Sequence, residues 1–369
     1  MAEEDEHRRA VPPLVAEPLR IAVEVEQLDA FELVGAVGRG GPLAALRGSE
    51  HAGSLPLPLA SRLEMARIAV IDLGTNSTRL LVADVEGGQV RNLERRSIVT
   101  RLGDGVDANG ALKPESMERV YEIVERYHRL IDRHGAEAIE AVATSAVRDA
   151  ANRDEFLLGL RERFGVEARL LSGDEEARLT FLGATSRRAG DEPTLVVDVG
   201  GGSTEFVVGI PGRDPDFHVS TQAGAVRQSE RHLHGDPPSA SELDELRRDV
   251  RQIIEGAVPS RVRARVTTGV AVAGTPTSLA AIDQGLEPYD PAKVDGYPLR
   301  LDAAERMFKA LAGVPLAERC QVPGLHPDRA PTIVAGAAIL VAAMVAFGLD
   351  RTETSEADIL HGVAITMTR

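Results

Sequence analysis

The sequence predicts an α/β protein built from two related domains that face each other across a cleft, and three observations lead there. From Arg67 onward, short β-branched apolar runs alternate with amphipathic stretches at helical spacing, as in sheets covered by helices. The unit IAVIDLGTNSTRLLVADV (68–85) returns as TLVVDVGGGSTEFVVGI (194–210). With Asp72 over Asp198, Gly74 meets Gly200, Ser77 meets Ser203 and Thr78 meets Thr204. The copies lie 126 residues apart, too far for a solenoid repeat, so they read as corresponding hairpins of two domains. Finally, 369 residues with 43% hydrophobic content can bury two cores.

Residues 1–64 read as a weakly ordered extension. Pro12, Pro13, Pro18, Pro42, Pro56 and Pro58 interrupt every apolar run, and Met65 offers an alternative start. The first domain is expected over 65–190. RIAVID (67–72) and RLLVADV (79–85) are strands around a tight polar turn. ESMERVYEIVERYHRLIDRHG (115–135) is an amphipathic helix with a glycine stop. AIEAVATSAVRDA (138–150) is a buried strand leading into a loop and helix, and FGVEARLLSG (164–173) is a strand and turn. The second domain is expected over 191–354, with a helix at 241–257, a strand at 265–274 and a helix entry at 274–282. The apolar run Ile333–Phe347 is too short to span a bilayer and reads as a packed core helix, and a short helix from about Glu356 closes the chain.

Several function classes are excluded. A net charge of −15 argues against a dedicated nucleic-acid binder. The single Cys320 removes any internal disulfide framework or zinc ribbon. MAEEDEHRRA has no secretory character, so a soluble cytoplasmic protein is expected, without membrane attachment. No G-x-x-x-x-G-K-[ST] loop, G-x-S-x-G turn or H-E-x-x-H helix is present.

The remaining motifs suit an anion and a divalent metal. Each hairpin sets a carboxylate, Asp72 or Asp198, at a strand end beside a glycine turn. Gly200, Gly201 and Gly202 let an anion approach backbone N–H groups, and Ser203 and Thr204 add hydroxyls. Two carboxylates meeting across a cleft suit a hydrated Mg²⁺. SGDEEARLTFLG (172–183) is a helix start in which Ser172 and Glu175 form a capping box. That box leaves Glu176 unassigned, and spacing alone leaves open whether a carboxylate there serves only structure or accepts a proton from an attacking water. Arg148 follows a strand, and Arg101 sits in the glycine-rich TRLGDG turn.

With these motifs in hand, the chain from about Met65 resembles the exopolyphosphatase and guanosine-pentaphosphate phosphohydrolase (Ppx/GppA) family of the actin, sugar-kinase and chaperone ATPase superfamily. DLGTNSTRLLV, VTRLGDGVD, ATSAVRDAANRDEF, LSGDEEARLTFLGAT, VVDVGGGSTEFVVG, AGAVR, AVAGTPTSLAAI, IVAGAAILVAAM and SEADILHGVA occur in the family's order. The resemblance implies two ribonuclease-H-like domains whose hairpins are phosphate loops, with 355–369 packing back on the first. It implies Glu176 as catalytic base and Asp72, Asp198 and Glu205 as carboxylates for Mg²⁺ or Mn²⁺. Phosphate contacts fall on Asn76, Ser77, Arg148, Gly200, Gly201, Gly202 and Ser203. The implied activity is hydrolysis of the terminal phosphoanhydride of polyphosphate. Guanosine pentaphosphate hydrolysis, an ATP-dependent kinase and a non-catalytic sensor are the alternatives, and a homodimer is expected from the short members. Gln228 and Pro331 depart from the family's usual apolar residue and aspartate.

Overall fold

The computed structural model describes residues 65–369, so the expected extension over 1–64 lies outside the described residues. The described chain builds two sheets within one compact unit. The first contains β1 (Ala66–Leu73), β2 (Ser77–Glu86), β3 (Gln89–Val99), β4 (Ala138–Ala143) and β5 (Ala168–Leu170), in the order β3-β2-β1-β4-β5. The second contains β6 (Thr194–Val199), β7 (Thr204–Gly209), β8 (Phe217–Thr221), β9 (Thr268–Val272), β10 (Pro298–Arg300) and β11 (Arg351–Thr354), in the order β10-β11-β9-β6-β7-β8. In each sheet a hairpin and a third strand run antiparallel, and the first strand pairs in parallel with a later one. This is the ribonuclease-H-like arrangement made twice, with β10 added at one edge.

Nearly continuous apolar runs in β1 and β2, with successive side chains pointing to opposite faces, explain why both faces of the first sheet are dry. Ala69, Ile71, Leu73, Leu80 and Val82 face the helices Pro114–His134 and Arg153–Phe164. Ile68, Val70, Leu81, Ala83 and Val85 face the opposite way, onto Leu179 and the C-terminal helix Ile359–Thr366. In the second sheet, Leu195, Val197, Phe206 and Val208 pack on the helices Ala240–Ala257 and Ile333–Phe347. Val196, Val207, Val270 and Val272 pack on Ala177, Phe181 and Ala184. Among the described residues no helix is long and apolar enough to cross a membrane.

One helix, Gly173–Thr185, therefore serves both sheets: Leu179 enters the first core, while Ala177, Phe181 and Ala184 enter the second. It crosses the C-terminal helix glycine to glycine. A Cβ on Gly183 would overlap the Asp358 carbonyl, and one on Gly362 would overlap that of Leu179. Ser172 and Glu175 close the helix start with a reciprocal capping box. The next residue, Glu176, is thereby fixed at the seam between the sheets.

Gln228 is fully buried on the helix Ala225–His232, and neither its Oε1 nor its Nε2 has a hydrogen-bond partner. A buried amide left unpaired costs about 1–3 kcal/mol. Gln228→Leu should therefore raise the thermal unfolding midpoint by about 2–6 °C in calorimetry. An unchanged or lower midpoint would contradict this account.

Candidate active site

The turns of the β1–β2 and β6–β7 hairpins meet at the floor of a cleft of about 860 Å³. They are built alike: Gly74 N donates to Ser77 O at 3.1 Å, and Gly200 N to Ser203 O at 3.1 Å. Each turn has its carbonyls tied back by other chain segments. In the first, Asn76 O accepts from Thr100 N (3.0 Å) and Arg101 N (2.9 Å), and Thr75 O accepts from Gly103 N (2.8 Å). That is the structural task of the TRLGDG turn. In the second, Gly200 O accepts from Ala225 N (2.8 Å), and Gly201 O from Val226 N (2.8 Å) and Arg227 N (3.2 Å). Because peptides are planar and trans, tying these carbonyls to the helix start turns the N–H groups of Gly201 and Gly202 the opposite way. Such a run of outward amides suits an anion.

The loops also touch. A Cβ on Gly202 would lie 2.6 Å from Ser145 Oγ and 2.9 Å from Thr75 Oγ1. Only glycine allows that approach.

Asp72 and Asp198 both line the cleft and are buried. Burial pushes the Asp72 carboxyl up despite the Arg79 guanidinium beside it. Its Oδ2 accepts from Arg79 Nε at 2.7 Å, while its Oδ1 is buried without a partner. Burial also raises Asp198, with Arg79 opposing the rise and Asp358 and Asp72 adding to it. Thr180 Oγ1 donates to Asp198 Oδ2 at 3.3 Å. Glu176 lines the same cleft and is raised by burial, with Arg148 opposing. Arg148 Nη1 donates to Glu176 Oε2 at 3.0 Å.

Asn76, Ser77 and Gly200 to Ser203 are all brought into the cleft wall. Two expected residues are placed differently. Arg148 does not line the cleft; it turns onto Glu176 and the Leu171 carbonyl (3.0 Å). Glu205 stands opposite Asp198 in the β6–β7 register, but it lies behind the wall, accepting from Ser220 Oγ at 2.7 Å. Burial, then Glu176 and Asp198, push its carboxyl well up. Among the described residues no group of three or more His, Cys, Asp or Glu side chains is set to hold a metal ion. The pair Asp72 and Asp198, with the unpartnered Asp72 Oδ1, still fits Mg²⁺, which takes one or two carboxylates and fills its shell with water and phosphate oxygens.

Sequence reasoning missed Arg79. Its guanidinium joins Asp72 (2.6 Å) to Asp358 (2.6 Å), and Arg95 adds contacts to Asp358 (3.3 Å) and Glu356. Burial opposes the Arg79 charge, but Asp72, Asp358 and Asp198 outweigh it and hold its pKa up. Burial likewise disfavours the Asp358 charge, and Arg79, His361 and Arg95 more than offset it. The hairpin repeat contained the signal, since Arg79 aligns with Glu205.

Two glycine hairpins and a buried carboxylate converging on one cleft define a protein that handles phosphoryl groups. The model of the Ppx/GppA phosphatase family matches residues 81–369, and the chain belongs to that family. The exopolyphosphatase 2 of Mycobacterium tuberculosis is 37% identical over 322 residues, 83% of this chain and 99% of that relative. Among solved structures, an exopolyphosphatase-like protein shares 34% identity with a TM-score of 0.78, covering 82% of this chain and 98% of its own. The Aquifex aeolicus Ppx/GppA family member shares 30% identity with a TM-score of 0.70, over 82% and 98% of the two chains.

Removing Arg79 would leave Asp72 and Asp358 buried without their shared cation. Arg79→Met should cost about 3–5 kcal/mol in urea unfolding. Adding Asp72→Asn should recover part of that loss; a near-neutral Arg79→Met would refute the pairing's importance.

Proposed function

We propose that this protein is an exopolyphosphatase that hydrolyses the terminal phosphoanhydride of inorganic polyphosphate and releases orthophosphate. The observation that carries the reading is Glu176, a buried carboxyl with a raised pKa, at the cleft wall between two anion loops. A module that only binds phosphate has no use for such a group. The exopolyphosphatase relatives support the choice of substrate.

The terminal phosphate is received by the amides of the 200–203 loop and by Asn76 and Ser77 from the opposite hairpin. Arg148 engages Glu176 Oε2, which leaves Oε1 as the acceptor for a proton from water. Water attacks the terminal phosphorus in line, its proton passes to Glu176, and the P–O bond to the rest of the chain breaks. The shortened polyphosphate leaves with the bridging oxygen. Fixed amides matched to the equatorial oxygens supply most of the stabilisation in such a reaction. Asp72 and Asp198 would hold Mg²⁺ or Mn²⁺, which supplies charge neutralisation on the phosphates when bound.

Guanosine pentaphosphate is a second reading, because the cleft runs on from the loops past Thr275 and Thr277 to Tyr289 and Arg329, leaving space for a nucleoside. Phosphate release from polyphosphate and from the nucleotide, at equal terminal-phosphate concentration, separates the two.

Glu176→Gln should keep the fold and lower kcat by about 10²–10⁴. In the unaltered protein, kcat/KM should rise with pH through a pKa above the ordinary glutamate range of about 4.3, since the raised carboxyl must lose its proton to act. Near-native turnover of the variant, or an acid limb at the ordinary value, would refute the base assignment.

At the raised carboxyls the folded protein binds more protons than the unfolded chain. Their contribution to stability is present at low pH and is lost as pH rises through the window above the ordinary carboxylate range. Millimolar Mg²⁺ should therefore raise the melting midpoint at pH 8 and do so much less at pH 5. Asp198→Asn should abolish the effect; an equal shift in that variant would remove the metal from this site.

A further inference from the structure

Arg227 lies on the helix Ala225–His232 and is buried, although nothing in the proposed reaction uses it. Its guanidinium spans three acceptors. Nε donates to the Gly202 carbonyl at 2.9 Å, Nη2 donates to Asp149 Oδ2 at 2.7 Å, and Nη1 donates to Asp107 Oδ1. Gly202 belongs to the anion loop of the second sheet. Asp149 ends the helix Ser145–Asp149, directly after Arg148, the residue that holds Glu176.

The backbone of the same helix already binds the carbonyls of Gly200 and Gly201. Gly202 has the third carbonyl of the run, and a side chain takes it. Holding that carbonyl toward Arg227 turns the Ser203 N–H the other way, so the third amide of the run depends on this contact.

We infer that Arg227 is a positioning residue that sets both the direction of the 200–203 amides and their placement relative to Glu176. The inference rests on the hydrolase reading above. One planar fork reaches the loop on one side and the Arg148 helix on the other. Lysine, a point charge on a flexible stem, cannot span the same three acceptors. Other contacts join the same two surfaces without touching either catalytic element: Arg231 to Asp107 at 2.8 Å, and Gly105 N to Glu230 Oε1 at 2.9 Å. They provide the control for a purely structural clamp.

The test compares phosphate release from polyphosphate, with thermal melting, for the unaltered protein, Arg227→Lys, Asp149→Asn, their double variant and Arg231→Met. Arg227→Lys should melt cooperatively near the native midpoint yet lose about 10–100-fold in kcat, the scale of an ångström of misplacement. KM should change by less than about threefold, the mark of an interaction made in the transition state. Asp149→Asn should lower kcat too, and the double variant should fall little below Arg227→Lys, because coupled residues are not additive. Arg231→Met should stay within about twofold of native turnover.

A folded Arg227→Lys within about threefold of native kcat would overturn the inference, as would Arg231→Met falling equally far or multiplying losses in the double variant. If Arg227→Lys does not fold, a natively melting Asp149→Asn decides: a tenfold loss in kcat supports the inference and unchanged turnover overturns it. No phosphate release by the unaltered protein would remove the hydrolase reading itself. Normal release with an indifferent Arg227→Lys would remove only this inference.

Discussion

Asp72, Glu176 and Asp198 at one cleft, and Glu205 behind its wall, are withdrawn from water, and the rest of the architecture answers that constraint. Like charges gathered in a low-dielectric setting raise one another's pKa, and burial adds to the effect. Among the described residues only two arginines meet these four directly, Arg79 at Asp72 and Arg148 at Glu176. Glu205 has hydroxyl partners, and Asp198 has Thr180. Such a cleft is poised to take up cations, whether protons or a divalent metal.

Holding those carboxyls in place requires a rigid frame, and the helix Gly173–Thr185 supplies it. Its apolar residues are divided between the two cores, so Glu176 cannot move without disturbing one of them. The glycine crossing with the C-terminal helix brings Asp358 close to the same seam, where it caps its own helix through Leu360 N and pairs with Arg79. Packing, capping and ion pairing therefore converge on one place, which is how Glu176 is held beside two loops carried by different sheets.

Much of this frame was legible in the sequence, for physical reasons. β1, β2, β6 and β7 are dense in β-branched residues and end in glycine turns, and their duplication placed Asp72 and Asp198 as counterparts. β3 escaped notice because Arg91, Glu94, Arg95 and Arg96 break its alternation. It is an edge strand paired on one side only, where charge is tolerated and discourages further pairing. β8, an edge strand of the second sheet, is half-buried and carries no strong pattern. At the site, the capping box located the helix start, but the Arg148–Glu176 pair joins residues 28 apart in sequence and had no local signature. Glu176 acquired a role from the family resemblance; spacing alone left it open.

Arg79 shows what duplication conceals as well as what it reveals. In the register of each hairpin, the residue opposite the loop aspartate is the one seven positions on: Arg79 faces Asp72, and Glu205 faces Asp198. The equivalent position carries a cation in one sheet and an acid in the other. Two arginines would neutralise both aspartates and leave little attraction for a metal. Two glutamates would leave the buried acids without a cation between them, and the floor of the cleft would repel itself. The mixed pair gives Asp72 a cation as its partner across the hairpin and Asp198 an acid as its own. The sequence symmetry of the hairpins is thus broken at the position where stability and chemistry make opposite demands.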